Sequence, residues 1–403
     1  MLSARAQTTM DLDSILAVIG RSHPALRSSD AEARSLDEAA RGARNWESPT
    51  ISTGFWMTPY DPSLWKKQAN GSSGMGQYMV SAEQMFPNRR SQEAEEKYLG
   101  SLSAVEREKK GATVNELYAA AGRAYFQWLI AERRKTVLDE DGKLLDYMIR
   151  DAELKYKNNL GKMGAYYKAK AALGNLENRR IALDNVIQQQ QIALNTLMSR
   201  DRAFAFEIDT TYAVMDVADV GVDSARLLDG RSDIRAVSES IRVTGLEQDA
   251  ERAKLKPEFG VRYDHMFGFG GSPLQYSLMA TVRVPVAWSS RASKANVESL
   301  KWKALSLEAE RDAMVNQAAG AAYGLKWAIL SKQRQVKVLT GQVLPALRKN
   351  FQTVELAYEQ NTEELFPLYD AWETLDNTQM EYWDAVESLL LMQVELKRVL
   401  EIK

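Results

Sequence analysis

The chain has 403 residues, room for two or three domains at roughly 100 to 200 residues each. Its 52 Lys and Arg nearly balance 54 Asp and Glu, and the net charge of −2 argues against a nucleic-acid partner. No stretch approaches the roughly 18 consecutive apolar residues of a membrane helix, which excludes a helical membrane protein. A membrane β-barrel stays open, because alternating strands leave little hydropathy signal.

In chain order, residues 1–10 read as the remnant of an export signal or a flexible terminus, since Ala4-Arg5-Ala6 has the form of a signal-peptidase site. Residues 11–208 form a first repeat: a helix from about Leu12 to Arg44, a hairpin over 50–86, a long helix over 90–160 and a return helix over 163–199. In this hairpin Ile51, Thr53, Phe55 and Met57, then Tyr78, Val80 and Ala82, recur at period two around a loop from Pro59 to Gly76. Residues 209–403 hold a linking segment and a second repeat: a helix from about Ala225 to Lys254, a hairpin over 257–286, a long helix over 291–361 and a return helix over 365–402. Its strands set Phe259, Val261 and Tyr263 against Gly260, Arg262 and Asp264. They also set Tyr276, Leu278, Ala280, Val282 and Val284 against Ser277, Met279, Thr281 and Arg283. A Gly-rich turn from Phe267 to Pro273 joins them.

The duplication is legible residue by residue. Leu26, Arg27, Arg44 and Pro49 match Ile234, Arg235, Arg252 and Pro257 at a separation of 208. Beyond the hairpins the separation falls to about 200, with Ala82 on Val282, Ala94 on Ala295 and Val137-Leu138 on Val338-Leu339. Toward the end of each half it is 202, where Tyr156, Asn159, Tyr167, Ala169 and Leu173 fall on Tyr358, Asn361, Tyr369, Ala371 and Leu375. Each long helix, about 70 residues at 1.5 Å per residue, would span roughly 105 Å. The ten prolines, about half the average usage of roughly 5%, suit such uninterrupted helices. A coiled-coil stripe of Leu173, Leu176, Leu183, Ile187, Leu194 and Leu197 answers one of Leu375, Tyr382, Val386, Leu389, Leu396 and Leu400. The fold class is therefore mixed α and β, mainly α, with long antiparallel coiled-coil helices in a tandem structural repeat.

The doubled His-Pro-Ala-Leu and Ser-Asp-Ile-Arg helix starts, Pro49 and Pro257, the segment Val80-Ser81-Ala82-Glu83-Gln84-Met85-Phe86-Pro87 and the tip Asn361 to Ala371 resemble the TolC-like outer membrane efflux protein family. The resemblance implies a homotrimer in the bacterial outer membrane. Each chain would lend four strands to a 12-stranded transmembrane β-barrel, and the helices would form a hollow α-barrel reaching into the periplasm. It implies the channel component of a tripartite efflux system, with outer membrane lipid, a periplasmic adaptor protein and an inner-membrane pump as partners and no nucleic acid. Phe55, Tyr78, Phe259, Tyr263 and Tyr276 would face lipid, Glu83, Arg262, Asp264 and Arg283 would line the lumen, and Ala203 to Gly221 would belong to a belt around the helices. It also implies a periplasmic gate at Asp370, where Pro367 stands in place of a second aspartate, with Lys168 as the matching position in the first half and a pairing partner across helices. The adaptor would dock on the tips Asn159, Gly161, Lys162 and Met163, and Asn361, Thr362, Glu363 and Leu365.

Cargo and competing classes are read from composition. Met57, Met75, Met79, Met85, Met266 and Met279 lie in or near the strands, where they are expected to face lipid or fill packing gaps; soft-metal passage is the alternative. The heavy-metal subgroup is the preferred one, and a type I protein-secretion exit duct of the same fold is another reading. A soluble coiled-coil scaffold would also explain the helices. Without cysteine there is no disulfide and no thiolate metal site, and with His23 and His265 alone a metal centre or a cofactor is not expected. An enzyme is not expected either, because neither histidine lies in a nucleophile motif.

Overall fold

The computed structural model describes residues 9–158, 163–218 and 220–402. The elements in chain order are β1 (Thr9–Met10), α1 (Leu12–Ser22), α2 (Pro24–Arg41), β2 (Thr50–Trp56), β3 (Gln77–Phe86), α3 (Arg89–Lys157), α4 (Met163–Leu197) and β4 (Glu207–Ile208). They continue with α5 (Ser224–Gly230), α6 (Ser232–Ala253), β5 (Glu258–Gly268), β6 (Gln275–Arg283), α7 (Arg291–Val338), α8 (Leu344–Glu359) and α9 (Leu365–Leu400). The chain packs as two units, one of Met1–Ser29, Lys109–Ile234 and Ala313–Lys403, the other of Asp30–Glu108 and Arg235–Asp312. Units and repeats do not coincide. Each unit takes segments from both halves of the sequence, because each repeat runs its helices through both.

The structure differs from the sequence reading in four places. The helix expected from Leu12 to Arg44 breaks at His23, which is extended at φ −65° and ψ 127°. Pro24 disfavours a helical residue before it and itself fits the first turn of α2. The second repeat breaks 208 residues later at Arg231, φ −88° and ψ 121°, between α5 and α6. The second long helix is interrupted by a π turn over Leu339–Val343, just before Pro345. Proline supplies no N–H and its ring crowds the carbonyl four residues back. The repeat separation also rises by one between Leu339 and Tyr358, and a π turn is how a helix absorbs one extra residue. Finally, Thr9 and Met10, expected to be flexible, pair in parallel with Glu207 and Ile208.

The first unit holds three apolar clusters. Ile15 and Ile19 of α1 pack with Tyr125, Trp128 and Leu129 of α3, Leu194 of α4, Phe206 and Ile208 at β4, and Leu390 of α9. Leu138, Leu145 and Met148 of α3 join Leu176, Tyr358, Leu365, Leu368 and Trp372. Val217, Leu227 and Ile234 join Val315, Ala322 and Ile329 of α7 and Leu389, Leu396 and Leu400 of α9. Close approach of α3 and α9 depends on Gly122, where an added Cβ would lie 3.1 Å from Val394. Burial of residues such as Leu176, Ile187, Leu194, Val386, Leu389 and Leu396 follows the coiled-coil stripes.

The second unit carries a four-stranded antiparallel sheet in the order β2-β3-β5-β6, so the two hairpins meet through β3 and β5. Ala82 pairs with Tyr263 and Glu83 with Arg262. Its helical part is lined by small side chains, Ala33, Ser101, Ser103, Ala250 and Ala253, which allow close helix approach. At the turn end the long loop after β2 is tied to the β5–β6 turn: the Gly74 amide donates to the Gly270 carbonyl at 3.1 Å, and Trp65 stacks on Phe269 at 5.3 Å. Gly270 has φ +60°, and a Cβ there would lie 2.5 Å from the Gly74 nitrogen.

Candidate functional site

The sheet sorts its side chains by chemistry. Pairing registers place Ile51, Phe55, Tyr78, Val80, Phe259, Val261, Tyr263, Phe267, Tyr276, Leu278 and Val282 on one face. This face is open: Phe55 is 64% exposed and Tyr276 74%. A soluble protein rarely leaves so broad an apolar patch uncovered. Among the described residues the outer strands β2 and β6 each have one unpaired edge.

The opposite face carries Glu83, Arg262, Asp264 and Arg283. Arg262 Nε donates to Asp264 Oδ1 at 2.8 Å and its Nη2 to Ser81 Oγ at 3.4 Å. Asp264 is only 2% exposed and anchors Arg262. Arg283 reaches Glu258 across the β5–β6 pair at 3.0 Å. Glu83 lies directly opposite Arg262.

Four of the strand methionines share the charged face. Met79 and Met266 are direct cross-strand partners, and Met85 and Met279 lie on the same face as Arg262 and Asp264. These four are therefore not on the aromatic face. Period-two alternation contained this information, since Met79, Met85, Met266 and Met279 share parity with the charged residues of their own strands.

In the first unit α8 stops in a Schellman turn. Asn361 is left-handed at φ +58°, its amide donates to the Tyr358 carbonyl at 3.0 Å, and the Thr362 amide donates to the Ala357 carbonyl at 2.9 Å. Asn361, Thr362 and Glu363 are exposed and Met163 is half-buried. Asn159, Gly161 and Lys162 lie outside the described residues. Leu365 is only 7% exposed and packs among Tyr358, Leu368 and Trp372. It fastens the start of α9 and cannot serve as a free apolar anchor, whereas its neighbour Phe366 is 55% exposed.

Asp370 is exposed on α9, and its carbonyl accepts from Thr374 Oγ1 at 2.8 Å. Among the described residues Lys168 does not pair with it within the protomer. Its Nζ sits 4.1 Å from the Phe366 ring centre and 4.2 Å from that of Tyr369, an arrangement favoured by the negative faces of aromatic rings. Nearby, Tyr358 donates its hydroxyl to Asp151, whose carboxylate is also 3.3 Å from Lys155. Burial raises the Tyr358 hydroxyl pKa above its ordinary value, and Asp151 adds to the effect.

A third group was not anticipated. Arg179 of α4 holds Asp376 of α9 through two guanidinium nitrogens at 2.6 and 3.3 Å, and Trp372 Nε1 donates to Asp141 Oδ1 of α3 at 3.0 Å.

No family model and no curated protein matches the chain. Solved structures do match. The outer-membrane channel OprN superposes with a TM-score of 0.76 at 17% identity, over 96% of this chain and 89% of that one. CusC, whose structures concern folding and transmembrane channel formation, gives 0.77 at 13% identity over 98% and 92%. The outer membrane protein VceC from Vibrio cholerae gives 0.76 at 16% identity over 96% and 95%. The chain thus has the TolC-like fold of outer-membrane channels, mainly helical with an antiparallel sheet. The proteins it resembles are channels, not enzymes.

Proposed function

We propose that three copies of this chain form an outer-membrane channel that carries cargo from a periplasmic adaptor and an inner-membrane pump out of the cell. The observation that carries this reading is the sheet, with one apolar aromatic face, one charged face and two unpaired edges. In lipid an open edge leaves unsatisfied backbone groups at several kcal/mol each, and only closure removes it. Pairing β2 of one copy with β6 of the next would close a twelve-stranded barrel, aromatic residues outward and the charged face on the lumen. Along α7 the exposed Trp302, Leu305, Tyr323 and Trp327 support contact with a second copy. In this assembly Asp370 forms a ring of three carboxylates that narrows the periplasmic end and focuses a negative field. The tip at Asn361, Thr362 and Glu363, with exposed Phe366, receives the adaptor. The test is expression in a Gram-negative host: a trimer in the outer-membrane fraction that conducts ions in planar bilayers supports the proposal, and a monomer soluble without detergent contradicts it.

Cargo has a narrower reading. Met79, Met85, Met266 and Met279 on the charged face would place thioethers along the lumen, and thioethers select soft cations such as copper(I). Replacing all four by leucine should lower silver tolerance in an efflux-deficient host while leaving dye export unchanged. Equal loss of both, or of neither, refutes the soft-metal reading.

A further inference from the structure

We propose that Asp141 and Asp376 share one proton and so form a latch between α3 and α9, and that release of this proton frees the start of α9. The inference rests on the channel reading only in giving that movement an effect on conduction.

The geometry is a three-helix junction with one positive charge for two carboxyl groups. Asp376 is 3% exposed and takes both contacts of Arg179. Asp141 has one oxygen occupied by the Trp372 indole, while its Oδ2 is buried without a hydrogen-bond partner among the described residues. A buried carboxylate oxygen left bare costs on the order of 1–3 kcal/mol or more. A proton on Oδ2 removes that cost by giving the oxygen a hydrogen to donate, and Asp376, the carboxylate that acts on Asp141 by both charge and hydrogen bonding, is the acceptor in this proposal. Trp372 and Asp376 are four residues apart and therefore lie on one face of α9. One helix face thus grips both Asp141 and Arg179.

Charge decides the response. With the proton in place the junction holds one ionised carboxylate and one guanidinium and is neutral; after the proton leaves for water, two carboxylates face one guanidinium and the net charge is −1. Burial, reinforced by Asp376, pushes the Asp141 carboxyl up to about 7, against the opposing effects of Trp372 and Arg179. The pair titrates as a unit. Other charged groups on the surrounding helices are differently engaged. Asp139 of α3 is 3.6 Å from Arg180 of α4, and Glu373 of α9 accepts from Tyr369 at 3.5 Å. Glu140 and Lys143 of α3 and Arg348 and Lys349 of α8 are exposed to solvent. Asp370 lies six residues before Asp376, roughly 9 Å along the helix. A change in how α9 is held at Trp372 and Asp376 therefore acts directly on the segment that carries the gate.

The test is hydrogen exchange on the full-length protein in detergent, read on the peptide covering 365–376 at pH 5.5, 7 and 8.5 and corrected for intrinsic exchange. The unmodified chain should lose protection by at least roughly tenfold over this range, since each pKa unit is a tenfold difference between protonation states. Asp141→Asn, neutral at every pH, should hold the low-pH protection throughout. The carboxyl C=O stretch of a protonated acid should titrate near neutrality in the unmodified chain and be missing from Asp141→Asn, a readout that needs no stability comparison. A pH response unchanged by Asp141→Asn, or no response in the unmodified chain, overturns the latch. Conductance recorded alongside separates the two claims. A latch response without conduction refutes the channel and leaves the latch standing, and conduction without a pH response at 365–376 does the reverse.

Discussion

Replacing Arg179 by alanine removes the guanidinium held against Asp376 and should destabilise the helical part of the protein. The two contacts at 2.6 and 3.3 Å end on a carboxylate that is 3% exposed. Breaking such a pair by deleting one partner costs about 3–5 kcal/mol, because the remaining charge loses its countercharge while still buried. The Arg179 side chain is 38% exposed, so water screens part of the interaction and the lower end, about 3 kcal/mol, is expected. An unfolding entropy of about 2.1 cal/mol/K per residue gives the 403-residue chain about 0.85 kcal/mol/K, and a loss of about 3 kcal/mol then lowers Tm by about 3–4 °C. The conversion holds for a cooperative trimer as well, since substitutions and residues both triple. Removing both charges together, Arg179→Met with Asp376→Leu, should restore Tm or raise it, because an apolar pair of similar volume avoids the desolvation cost. The assay is far-UV circular dichroism of the helices on heating in detergent, across the four members of the double-mutant cycle. A fall below about 1 °C for Arg179→Ala, or a double variant as unstable as the single one, refutes the reasoning.

Three further outcomes follow from the same structure. Between pH 4 and pH 7 the folded chain keeps the Asp141 proton that the unfolded chain has already released, so stability should fall as pH rises through this window, by up to about 4 kcal/mol for a shift of about three units. Asp141→Asn should flatten that part of the Tm-versus-pH curve, and an unchanged slope would remove Asp141 as its source. Asp370→Ala, at an exposed position, should leave stability within roughly 0.5 kcal/mol and raise single-channel conductance with weakened cation selectivity; unaltered conductance and selectivity would exclude a gating role. Leu278→Lys on the aromatic face should cost about 2–4 kcal/mol in lipid and reduce heat-resistant trimer on gels, while Ser277→Lys on the opposite face should not. Equal effects from the two would contradict the assignment of faces.

Local signals carried most of the fold. Period-two alternation assigned Phe259, Tyr263 and Arg262 to faces, and the repeat separation located both hairpins and both return helices. The break at His23 was signalled by Pro24, and the π turn by Pro345 together with the one-residue rise in repeat separation after Leu339. Long-range pairing was not legible. Nothing local joins β3 to β5, because that contact depends on residues such as Ala82 and Tyr263 far apart in sequence. The buried junction was hidden for a similar reason. Asp376 follows stripe residue Leu375, and only the approach of α3 and α4 turns that adjacent charge inward against Arg179 and Asp141. At the tip the sequence marked Leu365 correctly as apolar, but burial against Tyr358 and Leu368 makes it a fastener of α9 and leaves Phe366 to face outward.

The central claim is closure of three four-stranded sheets into one barrel, and electron cryomicroscopy of the protein extracted from outer membranes tests it most directly. The account predicts a threefold particle with twelve strands, β2 of each copy paired with β6 of its neighbour, Phe55, Phe259 and Tyr276 toward detergent and Arg262 toward a central lumen. A monomer, or a trimer whose sheets stay separate with β2 and β6 unpaired, would contradict it.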